Sequence, residues 1–267
     1  MIRRSTFLIM AWALALLLEG VIFAHADGAP PDSQKLLQLL QEKKAEEVAE
    51  FKRLSAMVRI PAGEFRMGSR AGRPDEHPVH SVLLGEFYID KFEVTQLQYQ
   101  WVMGVNPSYF RDCSHCPVEK VTFAEALEFC RRMNKTLPTE AQWEKAARGG
   151  TGGPFYWGDD FPENFAWGGN NSGQKTHSVG QKEPNVYGLY DVSGNVWEWV
   201  MDWYAPDYYR TSPKKNPTGP QTGSQKVVRG GSWGSVPQFL RHSQRDHNEP
   251  ESRFITGGFR CAAPVQP

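Results

Sequence analysis
From Ser33 to Met57 the apolar residues recur near a helical period. Leu37, Leu40, Val48 and Phe51 mark a stripe, Leu36 and Leu54 widen it, and Lys44 interrupts it. Asp32 or Ser33 supplies the N-cap. The run QEKKAEEVAEFKR reads as the solvated face of this amphipathic helix, and the helix is a candidate surface for a protein partner. At Val58 the pattern changes. VRIPAGEFRMGS reads as strand and turn, and HSVLLGEFYIDKFEVT as strands with alternating apolar residues. Three helices follow. Thr95 caps TQLQYQWVM, which stops at Gly104. Thr122 caps FAEALEFCRRMN, with Glu125 completing a capping box. Thr139 and Gln142 make another before AQWEKAAR, which ends at Gly149-Gly150. From there to the closing GGFRCA the pattern predicts mostly long loops.

Composition sharpens this picture. The 267 residues include 25 glycines, 19 prolines and 9 tryptophans, which implies an aromatic core inside turn-rich backbone. Net charge is zero, so neither nucleic acid nor an acidic membrane surface is suggested as a partner. The N-terminus reads as an export signal over residues 1–26. Arg3 and Arg4 precede the apolar run Phe7 to Leu18, and Ala24-His25-Ala26 is an A-x-A cleavage site. Glu19 interrupts the apolar run and argues against a stable membrane span. The expected organisation is thus a signal peptide (1–26), a linker and amphipathic helix (27–57) and one domain (58–267), in an exported protein, periplasmic or secreted.

The four cysteines, Cys113, Cys116, Cys130 and Cys261, follow the signal segment, and an even count in an oxidising compartment favours disulfides. Three pairings are open. One closes Cys113 on Cys116 and leaves Cys130 for Cys261. That second bridge would close a loop of about 130 residues, worth ~4 kcal/mol in the entropic model. Zinc at Cys113-Ser114-His115-Cys116 needs two more ligands, and no second C-x-x-C exists.

The stretch Arg229 to Arg241, RGGSWGSVPQFLR, suggests a catalytic elbow, an anion loop or a turn under a core tryptophan. It is not G-x-S-x-G, and no lysine and helix follow to cradle a phosphate. A nucleophilic Ser232 needs a general base in reach. Candidates for acid, base or metal chemistry nearby are His242, Asp246, His247 and Glu251. The first three have the makings of a two-histidine, one-carboxylate site.

Nine separate stretches in order agree with one family. IPAGEFRMGS, DEHPVHSVLLGEFYIDKFEVTQLQY, NPSYF, CPVEKVTFAEALEFC, LPTEAQWEKAARGG, YWGDD, NVYGLYDVSGNVWEWVMDWY, VVRGGSW and GGFRCA together resemble the formylglycine-generating enzyme, or sulfatase-modifying factor, family, over Val58 to Ala263. The resemblance implies a single α+β domain, C-type-lectin-related, with little regular secondary structure. It implies a Cys130–Cys261 bridge. It implies structural calcium on the side chains of Asp191 and Glu198 and the carbonyls of Gly194 and Val196, with a weaker second set at Asn164, Phe165, Asn171 and Gly173. It also implies a substrate groove, for a peptide or small molecule, around Trp197, Ser232 and Trp233, with Ser235 on its loop and charge from Arg229 and Arg241.

One family feature is missing. The copper-dependent oxidases carry two cysteines after G-G-S that bind Cu(I), a soft ion suited to thiolates. Those positions here hold Ser235 and Leu240. Leucine has no donor atom and a hydroxyl is a hard, weak ligand, so copper and sulfatase activation are not expected. Two readings follow. One is an exported oxidoreductase-type maturation factor acting on a peptide or peptide-derived metabolite, as implied by cysteine-lacking relatives in pyoverdine maturation. The other is a non-catalytic, calcium-stabilised, lectin-like binding or accessory protein.

Overall fold
The computed structural model describes residues 31–159 and 163–265. The expected signal peptide and the start of the linker lie outside the described residues. The chain divides into two units at Glu50 and Phe51. Helix α1 runs Pro31–Leu54. In the first unit its Leu39 and Leu40 are exposed. In the second, Phe51 stacks on Trp101 and Leu54 is buried beside Phe92 and Val179. The helix ends three residues before the expected Met57, because Met57 already pairs with Asp90 in a sheet.

The remaining elements of the second unit make an α+β domain. Strand β1 (Met57–Ile60) pairs antiparallel with β4 (Phe87–Asp90), whose other edge carries the C-terminal β9 (Ala262–Pro264). Between them, β2 (Gly63–Met67) and β3 (His80–Leu84) form a two-stranded ribbon. Helices α2 (Gln96–Met103), α3 (Phe123–Arg132) and α4 (Glu140–Arg148) follow. Each begins at a threonine, Thr95, Thr122 or Thr139, whose hydroxyl accepts the N–H three residues on, while Gln98, Glu125 or Gln142 reaches back to the cap N–H. Gly104 and Gly149, both left-handed, end α2 and α4.

The expectation of long loops after Gly150 holds only as far as residue 196. A four-stranded sheet then forms from β5 (Trp197–Trp203), β6 (Lys226–Arg229), β7 (Arg245–Asn248) and β8 (Gly257–Gly258), in the order β7-β6-β5-β8. The sequence hides it because Glu198 to Val200 are all buried and β6 is buried throughout, so the two-residue alternation that betrays a half-exposed strand is absent.

Two aromatic-rich clusters fill the domain. One joins Ile60, Phe87, Ile89, Trp143, Leu189 and Val200. The other joins Tyr99, Phe129, Trp199 and Phe259 around the Cys130–Cys261 disulfide. The second bridge closes Cys113 on Cys116, so all four thiols are paired and zinc has no thiolate there.

Candidate functional site
The glycine pair after β6 is a close-approach turn under a core tryptophan. Gly230 and Gly231 both have positive φ, 95° and 77°. A Cβ on Gly231 would lie 2.5 Å from Leu240 Cδ2 and 2.8 Å from the Phe239 carbonyl, and one on Gly230 would lie 3.1 Å from the Trp143 ring. The turn then closes on itself. Ser232 N–H donates to Ser235 Oγ (3.0 Å), the two hydroxyls meet at 3.3 Å, and Ser235 N–H donates to the Ser232 carbonyl (2.9 Å). Among the described residues no carboxylate or imidazole hydrogen-bonds Ser232, so the geometry offers it no base. Leu240 is wholly buried beside Phe155 and Ala166.

Arg229 does not line a groove. It is fully buried, and its guanidinium donates to Glu144 and to the carbonyls of His242, Ser243 and Gln244. Its charge is balanced inside the core by Glu144, with Glu140 at 3.6 Å. Arg241 turns to Glu76, which it grips with two 2.7 Å bonds. Arg245 does the same to Glu140. The three expected candidates on and before β7 separate as well. His242 is buried, accepts the Tyr156 N–H on Nε2 at 3.2 Å and stacks on that ring. Burial, helped by Arg148 and Arg229, holds its pKa well below that of an ordinary histidine, so it is neutral. His247 lies against Tyr204 at 3.9 Å, and Asp246 accepts the His247 backbone N–H. As neighbours on one strand Asp246 and His247 face opposite ways. Among the described residues no three His, Cys, Asp or Glu side chains gather to hold a metal ion, and the two-histidine, one-carboxylate site is not formed. Glu251, the fourth candidate, is exposed.

The loop Asp191–Glu198 is held tightly. Gly194 packs so close to Trp167 that a Cβ would lie 2.0 Å from its carbonyl oxygen. Asp191 accepts the Gly180 N–H on one oxygen (2.7 Å), and its other oxygen is buried with no partner. Burial lifts its pKa to about 6, with the nearby Glu198 adding to the rise. Glu198 takes Trp143 Nε1 at 2.8 Å and two bonds from Arg260 at 2.7 Å. Glu93, which sequence reasoning passed over, accepts the Val196 N–H (3.0 Å) and the Asn195 amide (2.6 Å). Its pKa is pushed up by burial and then by Asp191 and Glu198. The signal for it was an acid between Phe92 and Val94, both buried. Three carboxyls thus act on one guanidinium, Arg260. The free Asp191 oxygen and the surplus of buried acid fit a hard cation. Glu198 fits it less well, since Arg260 already holds both of its oxygens. In the weaker set, Asn171 bonds Gly168 N–H and the carbonyls of Glu163 and Ala166, and the carbonyls of Asn164 and Phe165 accept from Glu183 and Tyr156. Gly173 takes a left-handed turn there. The loop uses these donors itself.

Trp233 is itself buried, and the residues that cover it are aromatic and apolar. Its Nε1–H points at the Ile255 carbonyl (3.3 Å), and Phe110 meets it edge-on at 5.7 Å. Tyr109, 64 % exposed, packs on Phe110. Ile255 is 37 % exposed, and half-buried Trp197 pairs with Gly257 just beyond it. The loop carrying Tyr109 and Phe110 is pinned from below. Their N–H groups donate to one oxygen of the buried Glu119 at 2.5 and 2.8 Å.

An α+β domain with long loops, a C-terminal strand returning to the first sheet and a glycine turn under Trp143 defines a formylglycine-generating-enzyme-like protein. The sulfatase-modifying factor enzyme 1-like domain model matches residues 42–265, and the chain belongs to that family. The match begins inside α1, upstream of the Val58 expected from the motifs. The chain is 36 % identical over 241 residues to the serine/threonine-protein kinase pkn1 of Chlamydia pneumoniae, covering 78 % of this chain but 38 % of that protein. It spans about two-fifths of the length of the Chlamydia relatives that it matches. To the formylglycine-generating enzyme of Streptomyces coelicolor it is 32 % identical over 276 residues, 77 % of this chain and 88 % of that one. Among solved structures, Treponema denticola variable protein 1 superposes with a TM-score of 0.73 at 32 % identity, and PvdO from Pseudomonas aeruginosa with 0.70 at 28 %. Each covers 78 % of this chain and 94 % of its own.

Proposed function
We propose that this chain is an exported, non-catalytic binding member of the family, presenting the Tyr109–Phe110–Ile255 face, which lies over the buried Trp233, to a peptide or small-molecule ligand. The observation that supports it is the state of the two positions where the copper oxidases carry thiolates. Ser235 is closed in a turn with Ser232, Leu240 is buried, and all four cysteines of the chain are in disulfides. His242, the candidate base, is buried and turned to the Tyr156 N–H, and Arg229 is tied into the core. What faces outward there is Tyr109 and Ile255, with half-buried Phe110 between Tyr109 and Trp233, the chemistry of recognition rather than of proton transfer. Disulfides suit an oxidising compartment, and no helix among the described residues is long and apolar enough to cross a membrane. Exposed Leu39 and Leu40 support a protein partner on α1. A second reading, a maturation factor of oxidoreductase type, draws on the likeness to PvdO.

Supplied with Cu(I), oxygen and a sulfatase-type cysteine peptide, the purified chain should form no aldehyde and retain no stoichiometric copper. Aldehyde formation would overturn the reading. A peptide array should return binders whose affinity falls about tenfold or more in Tyr109→Ala, an exposed position. Equal affinity would place the ligand elsewhere.

Calcium belongs to the same reading. The free oxygen of Asp191 and the carbonyls of Gly194 and Val196 would hold it, and Glu93 and Glu198 would lie in its field. The ion would supply only positive charge to a loop with too many carboxylates. Added calcium should raise the thermal midpoint, a chelator should lower it, and Asp191→Ala should remove the response. A midpoint indifferent to calcium would mean that the loop is held without it.

A further inference from the structure
A cavity of about 810 Å³ opens between β2, the turn that follows it, the end of α4 and the glycine-rich turn Gly150–Pro154. Trp197, Ser232, Trp233 and Ser235 take no part in it. Its lining carries five cations, Arg66, Arg70, Lys145, Arg148 and Arg241, against the acids Glu64 and Asp159. Arg148 and Arg241 already hold Glu144 and Glu76, and Glu64 faces Lys214 at 3.0 Å, with Arg66 also acting on it.

Lys145 is the unusual member. It is 6 % exposed, and its ammonium donates to two backbone carbonyls, Pro61 at 2.7 Å and Gly63 at 2.9 Å. No carboxylate pairs with it among the described residues, and an ammonium has a third donor to give. Burial alone pulls its pKa down, as expected for a cation without a counter-ion. At the rim, exposed Arg66 makes one long bond to the Val79 carbonyl (3.3 Å), and exposed Arg70 makes none among the described residues. The end of a helix normally repels an anion. Here the last carbonyls of α4 are covered, those of Ala146 and Ala147 by the Asn185 amide and that of Arg148 by Thr151. The volume exceeds what a bare ion needs and suits a small organic molecule, and Phe65 and Tyr187 add apolar wall.

We propose that this cavity binds a tetrahedral oxyanion, phosphate or sulfate, carried as an ester on a small organic body, with Lys145 as the buried anchor and Arg66 and Arg70 engaging it from the rim. The inference is independent of the binding face at Trp233. Three donor-bearing cations from separate positions match the several oxygens of such a group better than the two of a carboxylate.

The test is titration of the full chain by calorimetry and amide NMR with inorganic phosphate, inorganic sulfate, glucose 6-phosphate, glucose 6-sulfate and glucose. Saturable binding of at least one ester, tighter than that of its free anion, is expected, with shifts at Lys145 and Gly150–Gly153 and none with glucose. The stronger of the two ester arms identifies the group. The double variant Arg66→Glu, Arg70→Glu should weaken binding about tenfold or more at an unchanged thermal midpoint. Both residues are exposed, so the variant folds whatever becomes of Lys145→Met, which removes the anchor charge. No saturation with any of the anions, equal binding of glucose, or undiminished binding in the double variant overturns the proposal.

Discussion
Glu144 accepts four hydrogen bonds from three partners, and its environment shows what a single residue carries in this molecule. One oxygen takes the Gly68 N–H (2.8 Å) and two bonds from Arg148 (2.9 and 2.8 Å), and the other takes Arg229. It is completely buried, so removing its charge leaves Arg229, which is equally buried, without its nearest partner. Glu144→Gln should therefore cost about 3–5 kcal/mol in urea unfolding. By contrast Glu128→Gln, which breaks the exposed i,i+4 pair with Arg132, should cost about 0.5 kcal/mol or less. Equal losses would mean that the buried network contributes no more than a surface pair. At this scale the sequence shows that Ser235 and Leu240 bring no thiolate, because donor chemistry is a property of the residue alone. It misplaced Arg229, because nothing in the local run R-G-G-S says whether an arginine meets a buried glutamate 85 positions away.

Among the elements, the three helices were legible in the sequence nearly to the residue. Their caps are local, and a threonine with an acid or amide three residues on needs no tertiary context. Strands β5 and β6 were not, since the buried charges Glu198, Asp202, Lys226 and Arg229 interrupt them and leave neither a two-residue alternation nor an apolar run. The disulfides act at this scale too. Cys130 on α3 is tied to Cys261 just before β9, across a separation of 131 residues. Replacing both with alanine should lower stability by about 4–5 kcal/mol. Replacing Cys113 and Cys116, which enclose a separation of 3, should lower it by about 2 kcal/mol on the same loop-entropy argument. The reverse order, measured by denaturant midpoints, would show that the short bridge holds more than its own loop.

Over the whole molecule, buried acids set the pH response. Asp202 is buried in the core. Burial, and then the charge of Glu140, lifts its pKa to about 7. Unfolded, it would titrate near 3.8. Between these values the folded state holds a proton that the unfolded state releases, so this contribution to stability is full below the lower value and is lost as pH rises to about 7. Each unit of separation corresponds to roughly 1.4 kcal/mol. Asp202→Asn should therefore gain stability relative to the parent as pH is raised from 5 to 8, read as the difference in denaturant midpoint. A constant difference across that range would falsify the assignment.

What the sequence by itself determined is local chemistry: helix caps, the glycine turn, the absence of thiolates at positions 235 and 240, and an ordered series of motifs specific enough to name a family. Only the tertiary structure decided which charges face inward. It paired Glu198 with Arg260 and Glu144 with Arg229, separated His242 from His247, and left Lys145 with two carbonyls and, among the described residues, no acid. The reason is physical. Capping and donor type depend on residues within one turn, whereas the fate of a buried charge depends on partners that the chain brings from scores of positions away.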